Sequence, residues 1–258
     1  MTTQETHKEA DKAKELPLLA HLDEFRSRLI KCLVALAILF PASFAVSKPA
    51  IEWMKRALAP EIGKLVYVQP MAYFFVQMKV AFYLALIAAF PYVSYQIWRF
   101  VSPALFKEER RFVGIFSLVS TTLFLFGAAV SLFLVFPFVM RFSAGMASDE
   151  VVPMIDVQGF VGMAGMLMLG FGVMFQLPIV VYLLVKMNVV SIKTMAGARP
   201  FVYIGIFTLS ALLTPGPDVI SQLAMALPSL VLFEGALLLA KLTCREKPLA
   251  DAADPHES

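Results

Sequence analysis

The residues whose types and spacing suit chemistry are charged, and they fall in two short stretches. One is His21-Leu22-Asp23-Glu24-Phe25-Arg26-Ser27-Arg28-Leu29. The other is the island 100–111, Phe-Val-Ser-Pro-Ala-Leu-Phe-Lys-Glu-Glu-Arg-Arg, set between two long apolar runs. Such a charge run reads either as a solvated turn or as half of a peptide-binding site. Arg110 and Arg111 can pair with Glu108 and Glu109 inside the loop, a contact worth under about 1 kcal/mol when exposed. Glu24, in the early turns of a helix, is favoured there by the macrodipole by a few tenths to about 1 kcal/mol without any ligand.

Polar residues inside apolar runs form a second group: Glu234, Gln176 two residues before Pro178, and Gln77 with Lys79. A charge at the centre of a membrane helix costs on the order of 2.5–3.5 kcal/mol on insertion scales, so Glu234 is either functional or engaged in the bundle near an interface. Gln176 suits hydrogen bonding between helices. Catalytic constellations do not arise. The histidines are His7, His21 and His256, two of them near the termini, which suits neither a metal cluster nor a triad. No glycine-rich phosphate loop follows a strand pattern, which argues against an ATP-driven pump. We expect no enzyme activity, no cofactor and no metal. Cys32 and Cys244 read as free thiols.

Composition says what must position these groups. With 59% hydrophobic and 16% charged residues over 258, the chain is an integral membrane protein, and a net charge of +3 gives no argument for nucleic acid. Crossing a hydrocarbon core of ~30 Å takes roughly 20 apolar residues. Six candidates follow, near 29–44, 74–98, 112–138, 160–185, 201–213 and 223–242. The fifth, about 13 residues at ~1.5 Å each, reaches only ~20 Å and predicts local thinning. Before the first, Leu18, Leu22, Phe25 and Leu29 share a face behind Pro17, which predicts a helix starting there as an amphipathic, interfacial segment. Residues 1–16 read as a polar tail, 17–242 as the transmembrane domain and 243–258 as a second tail. Lysine and arginine concentrate at the tails and in the gaps after the second and fourth runs, so both termini are expected in the cytoplasm. Pro91, Pro137, Pro178 and Pro228 predict curved helices.

Together these motifs resemble the TatC family, the multispanning component of the twin-arginine protein translocase. The family's His-Leu-x-Glu-Leu-Arg-x-Arg-Leu segment is matched at 21–29 with Phe25 for leucine. Its Phe-x-x-Pro-x-Leu-x-x-x-Glu-Arg-Arg loop is matched by Phe100, Pro103, Leu105, Glu109, Arg110 and Arg111. Its Thr-Pro-x-Asp-x-x-Ser-Gln turn is similar to Thr214–Gln222 with one residue added, and Gln176 stands where the family often has glutamate.

The resemblance implies an all-α protein of six transmembrane helices with the last two spans short, in a bacterial inner membrane. It implies a receptor for twin-arginine signal peptides of folded cargo, part of an oligomeric assembly with single-span TatA- and TatB-type subunits and membrane lipid, driven by the proton-motive force. Peptide binding then falls to Glu109 and Glu24, with Phe100, Leu105 and Arg26 beside them. A guanidinium presents forked donors that need a fixed carboxylate. Gln176, Asp218, Ser221, Gln222 and Glu234 become the partner-docking or intramembrane polar residues. The other reading is a secondary transporter or channel for a small solute, with Glu234 and Gln176 on a water-lined path.

Overall fold

A computed structural model describes residues 3–105, 111–146, 154–186, 189–214 and 219–243. These residues are helical almost throughout, and their extended pairing is an isolated parallel bridge between Val66 and Asp156. The chain forms two compact units, Met1–Arg56 with Tyr67–Thr122, and Ala57–Val66 with Leu123–Ser258.

In the first unit, α1 runs Thr3–Ala45. It begins at Thr3 and not at Pro17, because the Glu-, Lys- and Ala-rich residues ahead of the proline are strong helix formers and outweigh the one hydrogen bond Pro17 removes. The second helix, α2, spans Ser47–Leu58 with Pro49 in its first turn. Ser47, Ile51 and Leu58 are buried on one face, whereas Lys48, Glu52 and Arg56 are exposed on the other, the last two paired at 3.2 Å. Next comes α3, Ala72–Leu105, which packs along α1. On α3, Ala81, Ala85 and Ala89 form a buried stripe at four-residue steps, the spacing and size that let membrane helices approach closely. Helix α4, Arg111–Val130, is tied to α3 where Trp98 Nε1 donates to Ser120 Oγ at 2.7 Å and Ser94 Oγ donates to the Ser117 carbonyl at 3.3 Å.

In the second unit, α4 continues through a π-helical turn, Ser131–Val135, into α5, Phe136–Gly145. The Phe136 N–H reaches back five residues to the Ser131 carbonyl. This wider turn sits just before Pro137, which has no N–H to keep the ordinary ladder going. Asp156 caps α6, Val157–Met174, by accepting from the Gln158 and Gly159 N–H groups at 3.1 and 3.3 Å. After a break at Phe175 and Gln176, α7 runs Leu177–Lys186 with Pro178 in its first turn. Then follow α8, Ile192–Gly197, α9, Arg199–Leu213, and α10, Val219–Thr243. A core of Val181, Met195, Ile206, Ala226, Phe233 and Leu237 joins α7 to α10.

Two aromatic rings lock α4 to α6. A Cβ at Gly172 would lie 2.5 Å from the Phe124 ring, and one at Gly127 would lie 2.7 Å from the Phe175 ring, so each helix offers the other a glycine seat. The segment 57–66 is laced into the same unit. Val66 N–H donates to the Ile155 carbonyl at 3.2 Å, Val157 N–H donates to the Val66 carbonyl at 2.8 Å, and Arg141 Nε meets Glu61 Oε1 at 3.0 Å.

Five helical stretches are long and apolar enough to cross a membrane: His21–Ala45, Ala72–Val101, Val113–Gly145, Val157–Lys186 and Val219–Leu242. Arg199–Leu213, the expected short fifth span, is a shorter apolar helix of 15 residues. The last helix departs from expectation. At 25 residues α10 is not short, because Val219–Gln222 add a first turn and Pro228 lies within the helix without ending it. Beside that proline, Ser229 Oγ donates to the Met225 carbonyl at 2.9 Å, keeping a side-chain polar group satisfied inside the helix.

Candidate functional site

The charged turn of α1 meets the end of α3. On α1, His21, Glu24, Phe25 and Arg28 fall within about 100° of helical arc, and that arc faces Phe100. The His21 imidazole stacks on the Phe100 ring with centroids 4.3 Å apart and planes 17° apart. The Phe25 ring approaches the same ring at 5.6 Å, tilted by 57°. Glu24 completes the cluster. Its carboxylate accepts a hydrogen bond from the Arg28 guanidinium, and its other oxygen lies 3.9 Å from His21 Nδ1. The Glu24 side chain is 36% exposed, whereas that of Arg28 is only 13% exposed. The Arg28 Nε is buried with no hydrogen-bond partner among the described residues. The charge of Arg99, next to Phe100 on α3, also acts on Glu24.

What this arrangement offers is an anchored carboxylate beside an aromatic face, with cations around it and open to solvent on one side. It suits capture of a cationic, partly apolar ligand by forked hydrogen bonds and by stacking.

Of the residues expected to bind, the structure brings Glu24 and Phe100 together. Arg26 is exposed, about 140° round the helix from His21, and is not part of the cluster. Leu105 is the last residue of α3, its side chain outside the description, and Glu109 lies outside the described residues. Two contributors were missed, His21 as a stacking partner and Arg28 as the partner of Glu24. The four-residue step from Glu24 to Arg28 is the spacing of a helical ion pair and carried that signal. The stacking had none, because it depends on where α1 meets α3.

The intramembrane polar residues are placed separately, in the second unit. Glu234 of α10 accepts from Arg199 at 2.8 Å and from the Tyr203 hydroxyl at 2.6 Å, both on α9. Gln222 of α10 donates to the Phe207 carbonyl of α9 at 3.2 Å. Gln176 sits at the break between α6 and α7, where its amide donates to the Gly172 carbonyl at 3.5 Å. Ser221 is buried, and Asp218 lies outside the described residues. Among the described residues, no group of three His, Cys, Asp or Glu side chains is placed to hold a metal.

Comparison with known proteins gives the chain its relatives. The family model for the Sec-independent protein translocase protein (TatC) matches residues 20–228. The TatC protein of Azotobacter chroococcum is 32% identical over 244 residues, covering 93% of this chain and 95% of that protein. That of Escherichia coli K12 is 35% identical over 226 residues, covering 84% and 85%. A crystal structure of the twin-arginine translocase receptor TatC is similar with a TM-score of 0.78 and 32% identity, over 87% of this chain and all of the other.

Proposed function

The chain belongs to the TatC family of Sec-independent protein translocase proteins, and on that premise we propose that it is the subunit that receives twin-arginine signal peptides. It is a membrane-embedded translocase component and not a catalytic enzyme. In this reading Glu24 and Glu109 take the two guanidiniums, while Phe100 and Leu105 flank the peptide and Arg26, outside the cluster, has no part in the contact. The helices cross a bacterial inner membrane six times with both termini in the cytoplasm, α9 being the short crossing. TatA- and TatB-type subunits dock along the later helices near Gln176, Asp218, Ser221, Gln222 and Glu234, and the proton-motive force drives export of folded cargo.

The observation that carries the reading is the convergence of Glu24 and Phe100, from separate helices, on one solvent-open cluster. A carboxylate alone attracts any cation, whereas a carboxylate beside an aromatic face favours the planar, forked guanidinium over an ammonium. The test is crosslinking in membrane vesicles from a photoreactive probe at position 109 to a signal peptide bearing Arg-Arg or Lys-Lys. The expected result is strong labelling with Arg-Arg, reduced about tenfold or more with Lys-Lys, as a lost charge-assisted bidentate contact predicts. Equal labelling by both peptides contradicts the assignment.

A further inference from the structure

Two of the groups that meet the peptide in the reading above, Glu24 and Phe100, are already occupied. The Glu24 carboxylate holds the Arg28 guanidinium, and a flat nitrogen-bearing ring, that of His21, lies nearly parallel over Phe100. Each occupant has the chemical character of the ligand its site is meant to take: a guanidinium on a carboxylate, and a planar nitrogen group on an aromatic face. Both occupants come from the same face of α1, about two turns apart.

Resting on the receptor reading, we propose that Arg28 is an internal surrogate for the signal-peptide arginine that Glu24 receives, and His21 for the peptide group that lies against Phe100, both displaced when the peptide binds, and that their displacement sets the affinity threshold of the site. Arg28 is a poor permanent partner. A guanidinium has five N–H donors to satisfy, yet the Arg28 side chain is 13% exposed and its Nε finds no acceptor among the described residues. Release gives that donor water, so the exchange of one guanidinium for another on Glu24 meets little resistance.

The consequence for selectivity follows from competition. A group that occupies the site divides the binding constant of every incoming cation by the same factor, so it leaves the ratio between arginine and lysine ligands untouched. Both affinities fall together. A ligand with forked donors stays within working range, and one with point-charge ammonium groups drops below it. Stacking and forked pairing therefore supply the discrimination, and the surrogates turn it into acceptance or rejection.

The experiment uses the full chain in phospholipid nanodiscs and fluorescent signal peptides carrying Arg-Arg or Lys-Lys. Arg28→Gln is expected to tighten both peptides by the same factor, about two- to fivefold, the range of a modest ion pair, with their ratio unchanged. His21→Ala is expected to tighten both as well, by uncovering Phe100. Arg99→Gln removes a nearby positive charge without breaking the Glu24 pair and is expected to give the smaller gain. Arg28→Lys, which keeps the charge but loses the fork, is a second variant should Arg28→Gln fold poorly, and is expected to tighten both peptides in part. The proposal is overturned if neither Arg28 variant tightens Arg-Arg binding, or if Arg99→Gln tightens it as much as Arg28→Gln does. Glu24→Gln separates the two ideas. If it weakens Arg-Arg binding while the Arg28 variants do nothing, the receptor site stands and the surrogates fall; if it changes nothing in the wild-type background, the receptor site at Glu24 falls and the surrogates with it.

Discussion

Glu234 lies between two donors from one neighbouring helix, Arg199 at 2.8 Å and Tyr203 at 2.6 Å, so its carboxylate is matched inside the chain. Replacing it removes the counter-charge of Arg199, whose Nε is buried with no hydrogen-bond partner among the described residues. Glu234→Gln is expected to cost about 1–3 kcal/mol, toward the lower end because both side chains are 39% exposed. Thermal unfolding in detergent measures this, and Glu234→Gln with Arg199→Gln is expected to recover part of the loss. If the single variant is fully stable, the pair contributes nothing. At this scale the sequence was partly legible. Glu234 announces itself as a charge in an apolar run, and Glu24 with Arg28 as a four-residue step. Arg199 and Tyr203 stand 35 and 31 positions from Glu234, and His21 stands farther still from Phe100. Only the packing of helices pairs them.

At the scale of elements, the apolar runs located the helices because a membrane span must satisfy its own backbone and be apolar over its length. Prolines marked the irregular places without saying what the backbone does there. Near Pro137 the helix widens into a π turn and continues, before Pro178 it breaks at Phe175 and Gln176, and around Pro228 it carries on unbroken. Those outcomes depend on neighbours, as the paired glycine seats on α4 and α6 illustrate. Phe124 is buried to 1% exposure and has no room to yield, so Gly172→Ala is expected to cost about 1–3 kcal/mol by overpacking. Gly235→Ala on α10, where an added Cβ meets nothing within 4 Å, is expected to cost nothing. Melting temperatures of the two variants in the same detergent decide the point. Equal melting temperatures would mean that the rings of Phe124 and Phe175 do not lock the helices.

For the whole molecule, charge is what orients the chain, since Lys and Arg resist translocation. Single-cysteine reporters at Lys14, Lys64 and Lys107, in a chain with Cys32 and Cys244 replaced, test the orientation and the first two crossings. A maleimide that does not cross membranes is expected to label position 64 on intact cells with the outer barrier permeabilised. Positions 14 and 107 are expected to react only after the inner membrane is opened. The reverse pattern inverts the topology, and labelling of 14 and 107 from opposite sides removes a crossing. Five of the six apolar runs correspond to helices long and apolar enough to cross and the fifth run to the shorter helix Arg199–Leu213, but the length of the last helix was not legible. Leu223 opens the apolar run, whereas the helix itself starts at Val219, where polar Ser221 and Gln222 are built into its first turn.

The lacing of residues 57–66 into the unit that also contains Leu123–Ser258 has a consequence for biogenesis. Val66 leaves the ribosome well before Ile155 and Val157, the residues it pairs with, and Glu61 well before Arg141. At synthesis rates of roughly 5–20 residues per second, the early segment waits about 5–20 s for its partners. During that interval Ile62 and Leu58, each 3% exposed in the finished fold, have nowhere of their own to be buried. Vectorial insertion thus leaves the newborn chain with an unfinished seam on one side of the bilayer, a window in which insertion machinery or lipid must shelter it.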